Sequence, residues 1–107
     1  MSAVYYTVTA TITNPEADLQ AYVDWLNGGH VAAVVATGAL SGDVVVLDSE
    51  HGTSTEVESV YVFPSREVLQ AYFDGPAQIL RKEGVELWID TGKVTFKRRI
   101  GVVKQRF

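Results

Sequence analysis

Two strand-like runs, each feeding a helix start, constrain this chain more than anything else in it. Tyr5 to Thr13 alternates and then meets Asn14-Pro15-Glu16; Thr55 to Phe63 alternates and then meets Pro64-Ser65-Arg66-Glu67. Period-two alternation marks a half-buried strand, and a capping residue beside proline or just ahead of glutamate marks a helix N-terminus. A further β-rich run follows each unit, so the order reads β-α-β-β-α-β. That is the ferredoxin-like order, an α+β fold with one four-stranded antiparallel sheet. The same architecture hosts many unrelated chemistries, so function must be argued from side chains.

The first strand sends Val4, Tyr6, Val8, Ala10 and Ile12 to one face and Tyr5, Thr7, Thr9, Thr11 and Thr13 to the other. The threonine face is semi-polar and suits pairing with a second subunit. Asn14 is read as an N-cap with Pro15 as the first helical residue. Leu19, Tyr22, Val23 and Leu26 form the buried stripe, with Trp25 beside it. Gly28-Gly29 ends or bends that helix, and a second piece is expected over His30 to Ala36. Strand two is expected over Leu40 to Leu47, and a polar turn, Asp48 to Ser54, leads into strand three. Ser65 caps the next helix, whose stripe is Leu69, Tyr72 and Phe73. Gly75-Pro76 breaks it, and a further turn or two runs to a stop at Gly84. Strand four is expected from Lys93 to Val102.

At 107 residues the chain is one domain spanning residues 1–107. Apolar residues at 47% and charged residues at 21% exclude disorder. The net charge of −4 argues against a nucleic-acid partner, and the one basic tract, Lys97-Arg98-Arg99, is split between two faces by strand alternation. Absence of cysteine excludes a disulfide framework, a thiolate nucleophile and a zinc–sulfur site. No apolar run approaches the ~18 residues that span a bilayer. The opening residues lack a charged segment followed by an apolar one, so a cytoplasmic location is expected and no membrane partner. Gly-rich phosphate loops, Ser-His-Asp sets and nucleophile elbows are missing too, which argues against nicotinamide and phosphoryl chemistry.

Tyr22-Val23-Asp24-Trp25-Leu26, His30-Val31, Ala36-Thr37-Gly38, the block from Tyr61 to Tyr72, and Lys97-Arg98-Arg99-Ile100 resemble the corresponding stretches of the domain of unknown function 4286. The resemblance covers most of the chain and departs from the family's usual spacing at Asn27-Gly28-Gly29. It implies the dimeric α+β barrel superfamily, in which two ferredoxin-like sheets pack face to face. That superfamily includes cofactor-free monooxygenases of antibiotic biosynthesis, haem-degrading monooxygenases, muconolactone isomerases and ligand-sensing regulatory domains.

Among candidate site residues, His30 follows the double-glycine break. A histidine in a cleft is the commonest general base; the alternative is a helix-start histidine bonded to a nearby carbonyl. Asn27, Trp25 and His30 lie around one bend. The resemblance implies a role for such a set, because cofactor-free oxygenases of this fold use Asn, Trp and His to orient an electron-rich aromatic that itself activates oxygen. Without that role, Trp25 covers the core edge and Asn27 caps the helix. Tyr6 and Tyr61 face inward from adjacent strands, and their hydroxyls need either a carbonyl or a pocket. Arg98 falls among Val94, Phe96, Ile100 and Val102, where an unpaired charge is costly. It requires a salt bridge to Glu58 or Glu67, an anionic ligand, or a bulge that turns it outward. His51 reads as a solvated loop residue. No metal site is expected, since no His-x-x-x-His or His-x-x-Glu spacing occurs.

The expected function is a cofactor-independent enzyme of monooxygenase, isomerase or cyclase type acting on a small aromatic or polyketide-like molecule. His30 would be the acid/base, Asn27 and Arg98 would polarise or anchor oxygens, and Trp25, Tyr6 and Tyr61 would bind substrate. The alternative is a non-catalytic small-molecule-binding or protein-interaction module. The expected partners are a second copy of the chain and a small apolar or aromatic ligand, with no cofactor.

Overall fold

The computed structural model describes residues 2–107. Four strands form one antiparallel sheet: β1 (Val4–Ile12), β2 (Ser41–Val46), β3 (Glu56–Phe63) and β4 (Val94–Val102), in the spatial order β2-β3-β1-β4. Four helices cover one face of it: α1 (Pro15–Trp25), α2 (Val31–Val35), α3 (Arg66–Asp74) and α4 (Ala77–Gly84). This is the ferredoxin-like α+β architecture, with the two strand-to-helix units placing β1 and β3 side by side in the centre.

Alternation decides which side chains meet the helices. Val4, Tyr6, Ala10 and Ile12 of β1 and Val57, Tyr61 and Phe63 of β3 are buried beneath them. From the helices come Tyr22, Leu26, Val34, Leu69 and Tyr72. Each fully buried aliphatic or Phe side chain contributes about 1.5–3 kcal/mol, so this layer holds the fold together. On the far face Thr9 donates to the Glu58 carboxylate at 3.0 Å, and Arg99 meets the same oxygen at 3.4 Å. Thr7 and Thr9 are buried there by their cross-strand neighbours.

Register sets up the site. Tyr6 lies opposite Tyr61 on β3 and Ile100 on β4, and Val8 lies opposite Ser59 and Arg98. Arg98 therefore does point to the helical side, as alternation requires. It forms no salt bridge: Glu58 is taken by Arg99, and Arg98 is exposed. The expected cost of a buried charge is avoided because β4 is an edge strand that the helices leave partly uncovered, with Ile100 46% and Val102 40% exposed.

The glycine pair Gly28-Gly29 bends the helical path: Gly29, at φ 146°, is non-helical within the wide turn Leu26–His30, and α2 begins beyond this kink. Two local expectations are corrected. Asn14 makes no side-chain cap; its backbone carbonyl receives Asp18 N–H at 2.9 Å, and Pro15, Glu16 and Asp18 favour the first turn through fixed φ and the helix dipole. Gly84 does not stop the helical path: it has helical φ and ψ, and a π turn, Val85–Ile89, follows and buries Trp88. A β-carbon on Gly84 would meet the Trp25 ring at 3.4 Å, an ordinary contact distance. By contrast, Ser65 caps α3 as its sequence suggests, its hydroxyl accepting from Val68 N–H at 3.3 Å.

Candidate functional site

A narrow cleft opens between the helical side of β1, β3 and β4 and the ends of α1, α3 and α4. The space between its atoms is about 400 Å³ counted to the mouth, but only about 30 Å³ of it can take the centre of a water molecule. That is room for a couple of waters. A ring-sized ligand therefore needs side chains at the mouth to move aside, and exposed Arg98 is one of those side chains.

Each wall carries chemistry for a reason traceable to its element. The wide turn and its Gly29 kink swing the chain so that His30 faces back over α1, its ring stacked on Trp25 at 4.1 Å between centroids and 24° between planes. Trp25 is fixed in turn by donating its indole N–H to Glu83 on α4 at 2.9 Å. Nδ1 of His30 is buried and has no hydrogen-bond partner in the protein. Burial pushes the imidazole pKa below its ordinary 6.5, a shift that the nearby Glu83 carboxylate opposes. A neutral imidazole has one donor and one acceptor nitrogen, and Nδ1 is left without a protein partner.

The tyrosines form the floor. Tyr6 and Tyr61 stack at 5.9 Å and 22°. Tyr72 approaches Tyr6 at 6.3 Å, and Tyr22 packs edge-on to Trp88 at 5.2 Å. Burial raises the phenol pKa of Tyr22, Tyr61 and Tyr72, the last to about 12 even with Arg81 and Arg98 pulling it down. All three stay protonated donors. Two guanidiniums complete the lining. Arg81 of α4 donates to the Tyr6 hydroxyl at 3.3 Å and lies over the Phe73 ring at 4.6 Å; Arg98 stands over Phe96 at 5.6 Å. Among the described residues neither has a carboxylate partner.

Of the residues singled out from sequence, His30, Trp25, Tyr6, Tyr61 and Arg98 are brought together in this cleft. Asn27 is not: it is exposed and lines a separate open hollow with Val31, Val35, Gly42 and Asp43. The non-helical Gly29 lies between them and breaks the helical phase, so Asn27 and His30 face different hollows. Arg81, Tyr22 and Tyr72 went unremarked as site residues. The signal for Arg81 lay in the helical spacing Ala77, Arg81, Gly84, Trp88, which puts a charge inside an apolar stripe. No group of three or more metal-ligating side chains occurs among the described residues, and His51 is exposed in the β2–β3 loop. No helix among them is long and apolar enough to cross a membrane.

No family model matches the chain, and no curated protein matches it. Solved structures do. A dimeric ferredoxin-like protein from an uncultured marine organism superposes with a TM-score of 0.80 at 17% identity, over 100% of both chains. The ActVA-Orf6 monooxygenase of Streptomyces coelicolor, solved with the ligand nanaomycin D, gives 0.71 at 15% identity, over 99% of this chain and 91% of that one. SnoaB, a cofactor-independent oxygenase from Streptomyces nogalater, gives 0.67 at 9% identity, over 99% and 97%. At such identities the likeness is one of architecture: this chain has the fold of dimeric ferredoxin-like proteins and of oxygenases of the antibiotic-biosynthesis type.

Proposed function

We propose that this chain is a homodimeric, cofactor-independent enzyme that oxygenates a small phenolic aromatic or polyketide-like molecule. One observation carries the reading: a histidine whose Nδ1 is buried and unpartnered lines a largely aromatic cleft that also holds two guanidiniums and four tyrosines. Such an arrangement takes a proton from a phenol and stabilises the phenolate that results.

His30 accepts the phenolic proton, and Arg98 with the tyrosine hydroxyls offsets the charge on oxygen. The electron-rich ring then passes electrons to dioxygen, and a C–O bond forms at the ring carbon para to the phenolate. The peroxide takes the proton from His30. Loss of the proton on that carbon and cleavage of the O–O bond release water and leave a quinone. The ring is oxidised and dioxygen reduced, with one oxygen in the new carbonyl and one in water. Trp25 keeps the imidazole in place by stacking, and Asn27, facing the other hollow, takes no part.

The dimer reading is supported by the sheet's open face. Tyr5 and Val45 are each 38% exposed there. Asp43, Glu56 and Glu58 lie toward the β2 edge and Lys97 and Arg99 toward the β4 edge. A copy turned about an axis along the strands sets acidic edge over basic edge, whereas a copy turned about the perpendicular axis sets like over like.

Oxygen uptake with a panel of phenols and hydroquinones, followed by product analysis, tests the reading. Wild type consumes oxygen and forms quinone, while His30→Gln keeps its melting profile and loses turnover. No uptake with any substrate, or full turnover by His30→Gln, refutes it. The same lining suits a second reading, a non-catalytic small-molecule-binding module, which ligand binding without turnover would establish.

A further inference from the structure

The cleft's polar groups are unevenly matched, and the imbalance specifies what fits. Donors are abundant: two guanidiniums and several tyrosine hydroxyls. The lining holds no carboxylate, so its acceptors are neutral: the His30 imidazole and the Ser59 and tyrosine hydroxyls. Arg81 is the more informative cation because it is half-buried, standing between this cleft and a second hollow lined by Phe73, Gln78 and Lys82. Its Nε is buried with no partner, its plane is fixed over Phe73, and one Nη reaches Tyr6. The carboxylates on and just beyond its own helix are committed elsewhere: Glu83 accepts from Trp25, and Glu86 pairs with Lys82 at 3.8 Å. A half-buried guanidinium held in place by an aromatic ring and a hydroxyl, with no counter-ion, is prepared to receive an anion.

Building on the enzyme reading, we infer that the ligand is a hydroxyaryl carboxylate, its hydroxyl meeting His30 and its carboxylate received by Arg81. The guanidinium fork matches a carboxylate in geometry, and Tyr6 already orients it. Arg81 is then the residue that sets specificity, and Arg98 at the mouth serves the phenolate.

Calorimetric titration with 6-hydroxy-2-naphthoate and with 2-naphthol separates the two oxygens. The acid should bind wild type about tenfold or more tighter than the naphthol, the yield of one charge-assisted pair. Arg81→Gln should lose that preference, Arg81→Lys should retain part of it, and Lys82→Gln should leave it intact because Lys82 is exposed on the same helix. Should Arg81→Gln fail to fold, Arg81→Lys and Lys82→Gln still decide the matter, since an equal loss of preference in both would mean diffuse charge. Equal binding of the two ligands to wild type, no binding of either, or an undiminished preference in Arg81→Gln overturns the inference. Naphthol turnover without carboxylate preference would overturn it while sparing the enzyme reading. Carboxylate preference without oxygen uptake would support it and remove the enzyme reading instead.

Discussion

Gly42→Ala should destabilise the protein through steric crowding alone, and the structure gives the size of the effect. Gly42 sits on β2 opposite Tyr61, with α2 pressed down on it. A β-carbon there would lie 2.7 Å from Val35 Cγ2, 3.0 Å from Val31 Cγ1 and 3.3 Å from Tyr61 Cδ1. Real carbon contacts are 3.5–4.0 Å, so α2 must shift outward or two valines must leave their rotamers. Overpacking of this kind costs about 1–3 kcal/mol. An unfolding entropy of about 2.1 cal/mol/K per residue gives roughly 0.22 kcal/mol/K for this chain, and the cost becomes a fall in Tm of about 4–13 °C. The control is Gly101→Ala on β4, where nothing lies within 4 Å; its Tm should stay within about 2 °C of wild type, in keeping with the small effect of surface substitutions. Scanning calorimetry at one fixed protein concentration compares the two. Equal Tm values for Gly42→Ala and Gly101→Ala would refute the claim that α2 packs directly on this strand, and with it the placement of the wide turn that carries His30.

Other outcomes follow from the same geometry. Gly29→Ala meets no neighbouring atom but places a β-carbon at φ 146°, so it should cost about 1–3 kcal/mol of backbone strain and loosen the His30–Trp25 stack, read as a change in tryptophan fluorescence. Ser65→Ala removes the hydroxyl that accepts from Val68 N–H and should lower stability by about 1 kcal/mol in denaturant titration. His30 titrates below 6.5 in the folded chain, while the unfolded chain binds its proton near 6.5. Its contribution to stability is therefore present in full above about pH 6.5 and is lost as pH falls toward the folded value. The wild-type Tm should fall relative to that of His30→Gln across that window. In NMR titration the His30 ring should protonate at lower pH than in a short peptide, and Glu83→Gln, which removes the carboxylate opposing the shift, should move it lower still.

Strand alternation carried most of the fold because it reports a single variable, which face is buried, and one sheet backed by helices satisfies it everywhere. Tyr6, Tyr61, Val57 and Phe63 all landed where period two puts them. Glycine was read less well, because a glycine can serve a turn, a kink or a close approach, and sequence does not separate these. Gly84 was read as a stop and has helical φ and ψ; Gly28-Gly29 was read as an end or a bend, and the structure makes it a kink at Gly29. Asn27 was grouped with Trp25 and His30 because the three lie around one bend, but which side of a bend a residue faces depends on the non-helical Gly29 between them.

Charges inside apolar patterns were the better guide to the site, and the two arginines show how such a signal should be weighed. Arg98 interrupts a strand's apolar face and Arg81 a helix's apolar stripe. The strand lies at the sheet edge, so its arginine reaches solvent at the cleft mouth, and its position alone implies no missing partner. The helix lies over the sheet, so its arginine is half-buried, braced by Phe73 and Tyr6, and left without a carboxylate. The same anomaly in pattern thus has different energetic weight depending on whether the element is covered, a matter of topology that alternation and periodicity do not encode. The inferred carboxylate is therefore assigned to the half-buried charge, held only by Phe73 and Tyr6, and not to the arginine that sequence made conspicuous.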